Sequence, residues 1–190
     1  MNPGLGVVFL VLAVALVWVL ATFNRFIRLR QHLRESWADI DVELKRRYDL
    51  IPNLVETVKG YARHEKEVLA RIVELRTLAV ASQGVASAQA VDESKLLMGL
   101  KEIFAVAESY PDLKADRTFL DLQRQLALTE DRLAAARRFY NGNARSLNAL
   151  RETVPTNLVA KMMNIEPASY FELNTEAERV VPRVFAEGGE

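Results

Sequence analysis

From Trp37 to Val154 the apolar side chains return at alternating spacings of three and four residues, and that rhythm leaves few folds open. The first run takes in Trp37, Ile40, Leu44, Ile51, Leu54, Val58, Tyr61, Val68, Ile72, Leu75 and Ala79, interrupted at Arg47 and Glu65. The second takes in Phe119, Leu122, Leu126, Leu133, Ala136, Tyr140, Leu147, Leu150 and Val154, with Thr129 and Asn143 as polar exceptions. On an α-helix such residues share one face, and a sustained seven-residue repeat calls for long helices supercoiled against one another. No stretch alternates apolar with polar residues as a half-buried strand does. The chain is therefore expected to be all-α.

Between the two runs, residues 82–94 are small, polar and glycine-bearing and read as a connection, with helix continuing on either side. A shorter helix over about residues 93–108 carries Leu96, Leu97, Leu100, Ile103, Phe104 and Ala107 on one face. Pro111 then excludes Tyr110 from helical geometry, and Asp112 or Asp116 can cap the helix that follows. That last long helix is expected to end near Pro155, where Thr156 can cap a short amphipathic helix over residues 157–165. The expected architecture is an N-terminal transmembrane helix followed by an elongated antiparallel bundle of three long helices plus a short C-terminal helix.

The transmembrane element is residues 3–23, which hold no charged side chain. A bilayer needs about 20 apolar residues at 1.5 Å rise, and this run supplies them. A cleaved signal peptide would want a basic leading segment, which the opening Met-Asn-Pro-Gly lacks. Arg25, Arg28, Arg30 and Arg34 all follow the run, so the N-terminus is expected outside and the body in the cytoplasm of a bacterial cell, below the inner membrane. The same arginines can snorkel toward lipid phosphates. The resulting division is residues 1–24 as anchor, 25–172 as helical domain and 173–190 as a polar, flexible tail. The chain holds 25 basic and 25 acidic residues, so no global field draws it to nucleic acid, and none is expected as a partner. It has no cysteine, which removes disulfides, thiolate metal sites, a Cys nucleophile and a lipidated cysteine.

Residues 37–65, WADIDVELKRRYDLIPNLVETVKGYARHE, resemble the signature segment of the LemA family of bacterial single-pass membrane proteins. ARRFYN at residues 136–141, VPTNLVAK at residues 154–161 and YFE at residues 170–172 are similar to it as well. Where that family often has a Phe-Gly-Phe-like turn before YFE, this chain has Met163, Asn164 and Ile165. The resemblance implies a cytoplasmic helical domain on one membrane span, with no established catalytic activity. It also implies kinship with proteins of magnetosome formation and with neighbours of membrane zinc proteases of the HtpX type.

The residues offer little to an enzyme. His64-Glu65 would need a second histidine at position 68 to make a zinc-protease helix, and that position is Val68. Neither His32 nor His64 follows a Glu at three positions, as a di-iron bundle requires; Leu29 and Tyr61 stand there. No G-x-S-x-G elbow or phosphate-cradling glycine loop is present. No catalytic residue, metal or cofactor is expected. Asp39, Asp41 and Glu43 read as a solvated acidic face. Lys45, Arg46 and Arg47 follow it one turn later, with Asp41 before Lys45 and Glu43 before Arg47 at i,i+4, or alternatively in a salt bridge between subunits.

Architecture is the better use of the remaining residues. Pro52 inside a helix costs about 3 kcal/mol or kinks it, and Asp49 as a new N-cap would ease that, so a bend is expected at residues 49–52. Asn53, Gly60 and Tyr61 complete this interface, with Gly60 permitting close helix approach. Tyr48, Arg137, Arg138, Tyr140 and Asn141 flank core positions and are expected in contacts between helices or subunits, as are Tyr170 and Phe171. Asn143 on the seam would specify register. Leu158, Met162 and Ile165, with Met163 beside them, form a stripe that either folds back on the bundle or docks a partner. The expected function is a non-enzymatic scaffold that touches lipid through its N-terminal helix, forms a homo-oligomer and recruits a membrane metalloprotease. A membrane-remodelling or anionic-lipid-binding module is the alternative.

Overall fold

The computed structural model describes residues 3–82 and 84–173, and their regular structure is entirely helical. In chain order the helices are α1 (Pro3–Tyr61), α2 (Lys66–Ala81), α3 (Ala86–Glu108), α4 (Pro111–Lys114), α5 (Arg117–Glu152) and α6 (Thr156–Met162). The expected all-α bundle is what forms. Contacts divide the chain into two compact units, Met1–Trp37 with Phe139–Ala168, and Ala38–Arg138 with Ser169–Glu190.

The unit formed by Ala38–Arg138 is a four-helix bundle built from the C-terminal part of α1, α2, α3 and the N-terminal part of α5. Ile51, Leu54, Val58, Ile72, Leu96, Ile103, Phe119 and Leu126 are buried in one shared core, and Phe104 meets Phe119 edge-on at 6.1 Å. Helix directions follow from the contacts. Tyr48 lies by Ala79 and Gln89, Tyr61 by Asp116, and Tyr110 by Glu65, so the four segments run alternately up and down. Each Leu or Ile in such a core is worth about 2–5 kcal/mol against truncation to alanine.

In the unit formed by Met1–Trp37 and Phe139–Ala168, α1 and α5 run antiparallel. Trp37 packs edge-on against Tyr140 at 5.3 Å, and Asn143 Nδ2 donates to the His32 carbonyl at 3.3 Å. Further along, Phe26, Leu147, Leu150, Val159, Ala160 and Ile165 form a small core, against which Val19, Leu29 and Leu33 pack. Asn148 exchanges two hydrogen bonds with the Ala168 backbone, at 2.9 and 2.8 Å, and Arg151 Nε donates to the Ile165 carbonyl at 2.9 Å. α6 closes in a Schellman turn: Ile165 N–H reaches the Ala160 carbonyl and Asn164 N–H the Lys161 carbonyl. That turn needs a left-handed residue, and Asn164 takes it at φ 48°. Asparagine is among the few side chains that do so readily.

Several expectations change. The run from Trp37 to Ala79 is two helices, because α1 ends at Tyr61 and α2 begins at Lys66. No new helix starts at Asp49: α1 continues through Pro52, and Asp49, Pro52 and Asn53 are all exposed on it. The connection expected over residues 82–94 shrinks to 82–85, with α3 starting at Ala86. Of the two candidate caps, Asp116 serves, accepting a hydrogen bond from Phe119 N–H at 2.9 Å at the start of α5. Thr156 does not cap α6. It is the first residue of that helix, and its hydroxyl donates to the Leu150 and Thr153 carbonyls at 2.6 and 2.9 Å. The tail expected to be flexible lies, beyond Leu173, outside the described residues.

Candidate functional site

The first interruption of the heptad pattern is where the chemistry concentrates. Arg47 is one turn after Leu44 and one before Ile51, in phase with the core, and its side chain is wholly buried. Its Nη1 donates to Glu130 Oε1 at 2.8 Å and its Nη2 to Glu93 Oε2. Tyr48 donates its hydroxyl proton to the other oxygen of Glu93, to which Gln89 Nε2 also donates at 3.1 Å. Gln89 lies within reach of the Ala79 carbonyl as well, at 3.3 Å, an acceptor in the last turn of α2 that also takes the Ser82 N–H at 3.3 Å.

One cation and two carboxylates therefore meet inside an apolar bundle, and they tie α1 to α3 and α5. The Glu93 side chain is fully buried, and Glu130 stands at the rim with 12% of its side chain exposed. Desolvating such charges costs several kcal/mol each, which only good pairing offsets. The arrangement is incomplete: Arg47 Nε is buried without a partner. Burial raises the Tyr48 phenol above its ordinary range, against the opposing pull of Arg47 and Gln89. Among the described residues no group of three His, Cys, Asp or Glu could hold a metal ion.

Arg76 belongs to the same region for a different reason. Pro52 has no N–H to give the carbonyl four residues before it, which is that of Tyr48. Arg76 Nε on α2 donates to that carbonyl at 2.7 Å. A proline that would leave an unsatisfied acceptor inside α1 thus becomes a point where α2 is attached.

The remaining predicted residues are placed as follows. Arg25, Arg28, Arg30 and Arg34 are exposed on α1 just past the apolar run. Asp39, Asp41, Lys45 and Arg46 are exposed and Glu43 half-buried; Arg47 turns away from Glu43 to its two distant partners. Partial desolvation of its carboxyl nonetheless raises the pKa of Asp41. Tyr61 is 42% exposed and not a core residue; it donates to Asp116 Oδ2 at 2.9 Å. Gly60 serves no close approach, since a Cβ there would meet nothing within 4 Å. Gly99 does: a Cβ would fall 2.8 Å from Leu75 Cδ1 and 3.0 Å from Ile72 Cδ1. His64 is exposed in the turn between α1 and α2.

Arg137 and Asn141 are half-buried, Arg138 exposed and Tyr140 buried against Trp37. Tyr170 is half-buried and Phe171 buried. The stripe on α6 divides: Ile165 is buried, with Met163 packed beside its cluster, whereas Leu158 and Met162 face outward. Sequence reasoning missed Glu93, Glu130, Gln89, Arg76 and Gly99. Glu93 carried a signal, because it shares the helical face of Leu97 and Leu100, where an acid needs a buried cation.

The first residues of α1 have no core at all. Leu5, Val8, Leu12, Leu16 and Leu20 are exposed, in a segment of mean hydropathy 2.8, long and apolar enough to cross a membrane. Comparison with known proteins agrees with a membrane-associated chain. The chain is similar to Protein LemA of Metamycoplasma hominis, 27% identical over 83% of this chain and 71% of the relative. It is also similar to Magnetosome protein MamQ 2 of Paramagnetospirillum magneticum, 24% identical over 89% of this chain and 72% of the relative. Magnetosome protein MamQ of Magnetospirillum gryphiswaldense is 22% identical over 97% of this chain and 80% of the relative. The model of the LemA family matches residues 36–185, so the chain belongs to the LemA family.

Proposed function

We propose that this protein is a non-enzymatic scaffold, anchored by α1 in the bacterial inner membrane with its bundle in the cytoplasm, that assembles with itself and recruits or encloses a membrane partner. The observation that carries the reading is the continuity of α1, in which an exposed apolar run passes without a break into a helix whose later residues are core. One helix thus supplies both the apolar run and part of a bundle core, as an adaptor requires. Exposed Val42, Val91 and Leu128 offer apolar surface for self-association. A zinc protease of the HtpX type is the partner to which the family resemblance points. The test is the particle mass of the full-length protein in detergent, alone and with its native membrane partners. A discrete oligomer is expected; a monomer under both conditions sinks the scaffold.

A second reading, a membrane-remodelling or anionic-lipid-binding module, is favoured by the four exposed arginines after the span and by the magnetosome names of two relatives. Salt-sensitive binding to anionic vesicles by a chain lacking residues 1–23 supports it. No binding at physiological salt removes it.

A further inference from the structure

The corner between α5 and α6 exposes three apolar side chains: Val154 by 75%, Leu158 by 59% and Met162 by 78%. Leu158 and Met162 are one turn apart on α6, on a face turned from the buried Val159 and Ala160. The antiparallel register says where this corner lies along α1. Trp37 faces Tyr140 and His32 faces Asn143, so each step forward on α5 is a step back on α1. Both helices rise equally per residue, and the end of α5 at Glu152 therefore comes level with the stretch between Phe23 and Arg25. That is where the charge-free run stops and the first arginine begins. The core beneath α6 also takes in Phe26 and Val19, the latter within the run itself.

We infer that Val154, Leu158 and Met162 form a foot that dips into the lipid interface beside the span, the occupant of this apolar face being the bilayer that holds α1. Three things favour lipid over a protein: the height of the corner, its continuity with the apolar run, and the cations around it. Exposed Lys161 lies between Leu158 and Met162 in sequence, and exposed Arg25 and Arg28 stand at the same level on α1. Exposed Glu152 and Glu166 stand at the corner too, yet basic side chains beside an apolar face are the pattern of an interfacial helix sunk to the boundary between headgroups and acyl chains. Methionine suits the task, because its flexible side chain adapts to a disordered surface. The foot gives the membrane a second, non-spanning contact that fixes how α5 and α6 meet the bilayer.

The inference rests on α1 crossing the bilayer, and the test separates the two. The chain has no cysteine, so single cysteines can carry a fluorophore in full-length protein reconstituted into anionic vesicles. Leu158→Cys and Met162→Cys labels are expected to be quenched by bromine on the lipid acyl chains and protected from iodide. Phe139→Cys, at an exposed apolar site level with Trp37 and about 20 Å from the end of the run, should show the reverse. Leu12→Cys reports the span. Iodide quenching at 158 and 162 equal to that at 139, with 12 in lipid, overturns the foot and leaves the anchor standing. Protection from both quenchers shows a protein cover and overturns it as well. A label at 12 in water overturns the anchor and the foot together. Since both side chains are exposed, the pair Leu158→Glu and Met162→Glu should leave the melting temperature unchanged yet abolish bromolipid quenching of a Val154→Cys label.

Discussion

Arg47 is the side chain on which the bundle has most to lose. Taking it away leaves Glu93 wholly buried with no cation, and a buried charge without its partner costs about 3–5 kcal/mol. Arg47→Leu should lower the unfolding free energy by that amount, measured by chemical denaturation followed by circular dichroism. Adding Glu93→Leu should return much of the loss, because the rim carboxylate of Glu130 can turn to water. Losses that simply add would show that the three groups do not act as a unit. Asp116 works at the opposite end of the bundle and in the open. The Phe119 N–H bond, and then the Tyr61 hydroxyl, hold its carboxyl below the ordinary 3.8. A depressed folded pKa contributes stability that is fully present above the unfolded value and disappears as pH falls through the folded one. Asp116→Ala should therefore cost about 1 kcal/mol at neutral pH. The gap between variant and parent should close in acid, below pH 3.8, and a gap that persists there would show that the carboxylate is not the cause.

At the scale of elements, the instructive place is the break at residues 62–65. The apolar spacing runs straight across it, since Tyr61 and Val68 are seven apart, and periodicity alone cannot see a turn that preserves phase. Charge can. Lys59 stands in the last turn of α1 with Arg63 and His64 just after it, while Glu65 and Glu67 open α2, the order that complements one helix dipole ending and the next beginning. Gly60 loosens the last turn of α1 further. Pro52 drew attention instead, yet its missing hydrogen bond is offset by a side chain from another helix. Arg76→Met should keep the stem of that side chain and strand the Tyr48 carbonyl, costing about 1–3 kcal/mol in chemical denaturation. No loss would mean that water serves the carbonyl equally well. The same geometry explains Gly99, where α3 must pass the ends of Ile72 and Leu75 on α2 too closely for a side chain to fit without displacing them.

For the whole molecule, the proposed orientation rests on the asymmetry of charge about residues 3–23. Four arginines follow the run within a few turns and no Lys or Arg stands before it in this sequence, the bias on which the proposal of a cytoplasmic flank is built. In intact cells, a membrane-impermeant thiol reagent should label Asn2→Cys and leave Gln31→Cys untouched until the membrane is opened. The reverse pattern would place the helices outside and remove any partner in the cytoplasm. The chain belongs to the LemA family and is similar to proteins named for magnetosomes. The proposed foot adds that the bilayer is met by a corner of the chain far in sequence from the span.

The all-α class, the membrane-length apolar run, its charge asymmetry and the family were legible from sequence, because each is local: a period, a length, a count of charges on either side. The seam residues of α5 and the cap at Asp116 were legible for the same reason. The pairing of Arg47 with Glu93 and Glu130, the rescue of the Tyr48 carbonyl by Arg76, the packing at Gly99 and the height of the α5–α6 corner were not. Each joins residues distant in the chain, and only the way the helices fold back on one another brings their atoms within reach. Arg47 marks the boundary between the two. Sequence showed a charge in core phase, and tertiary structure alone supplied the carboxylates that make its burial tolerable.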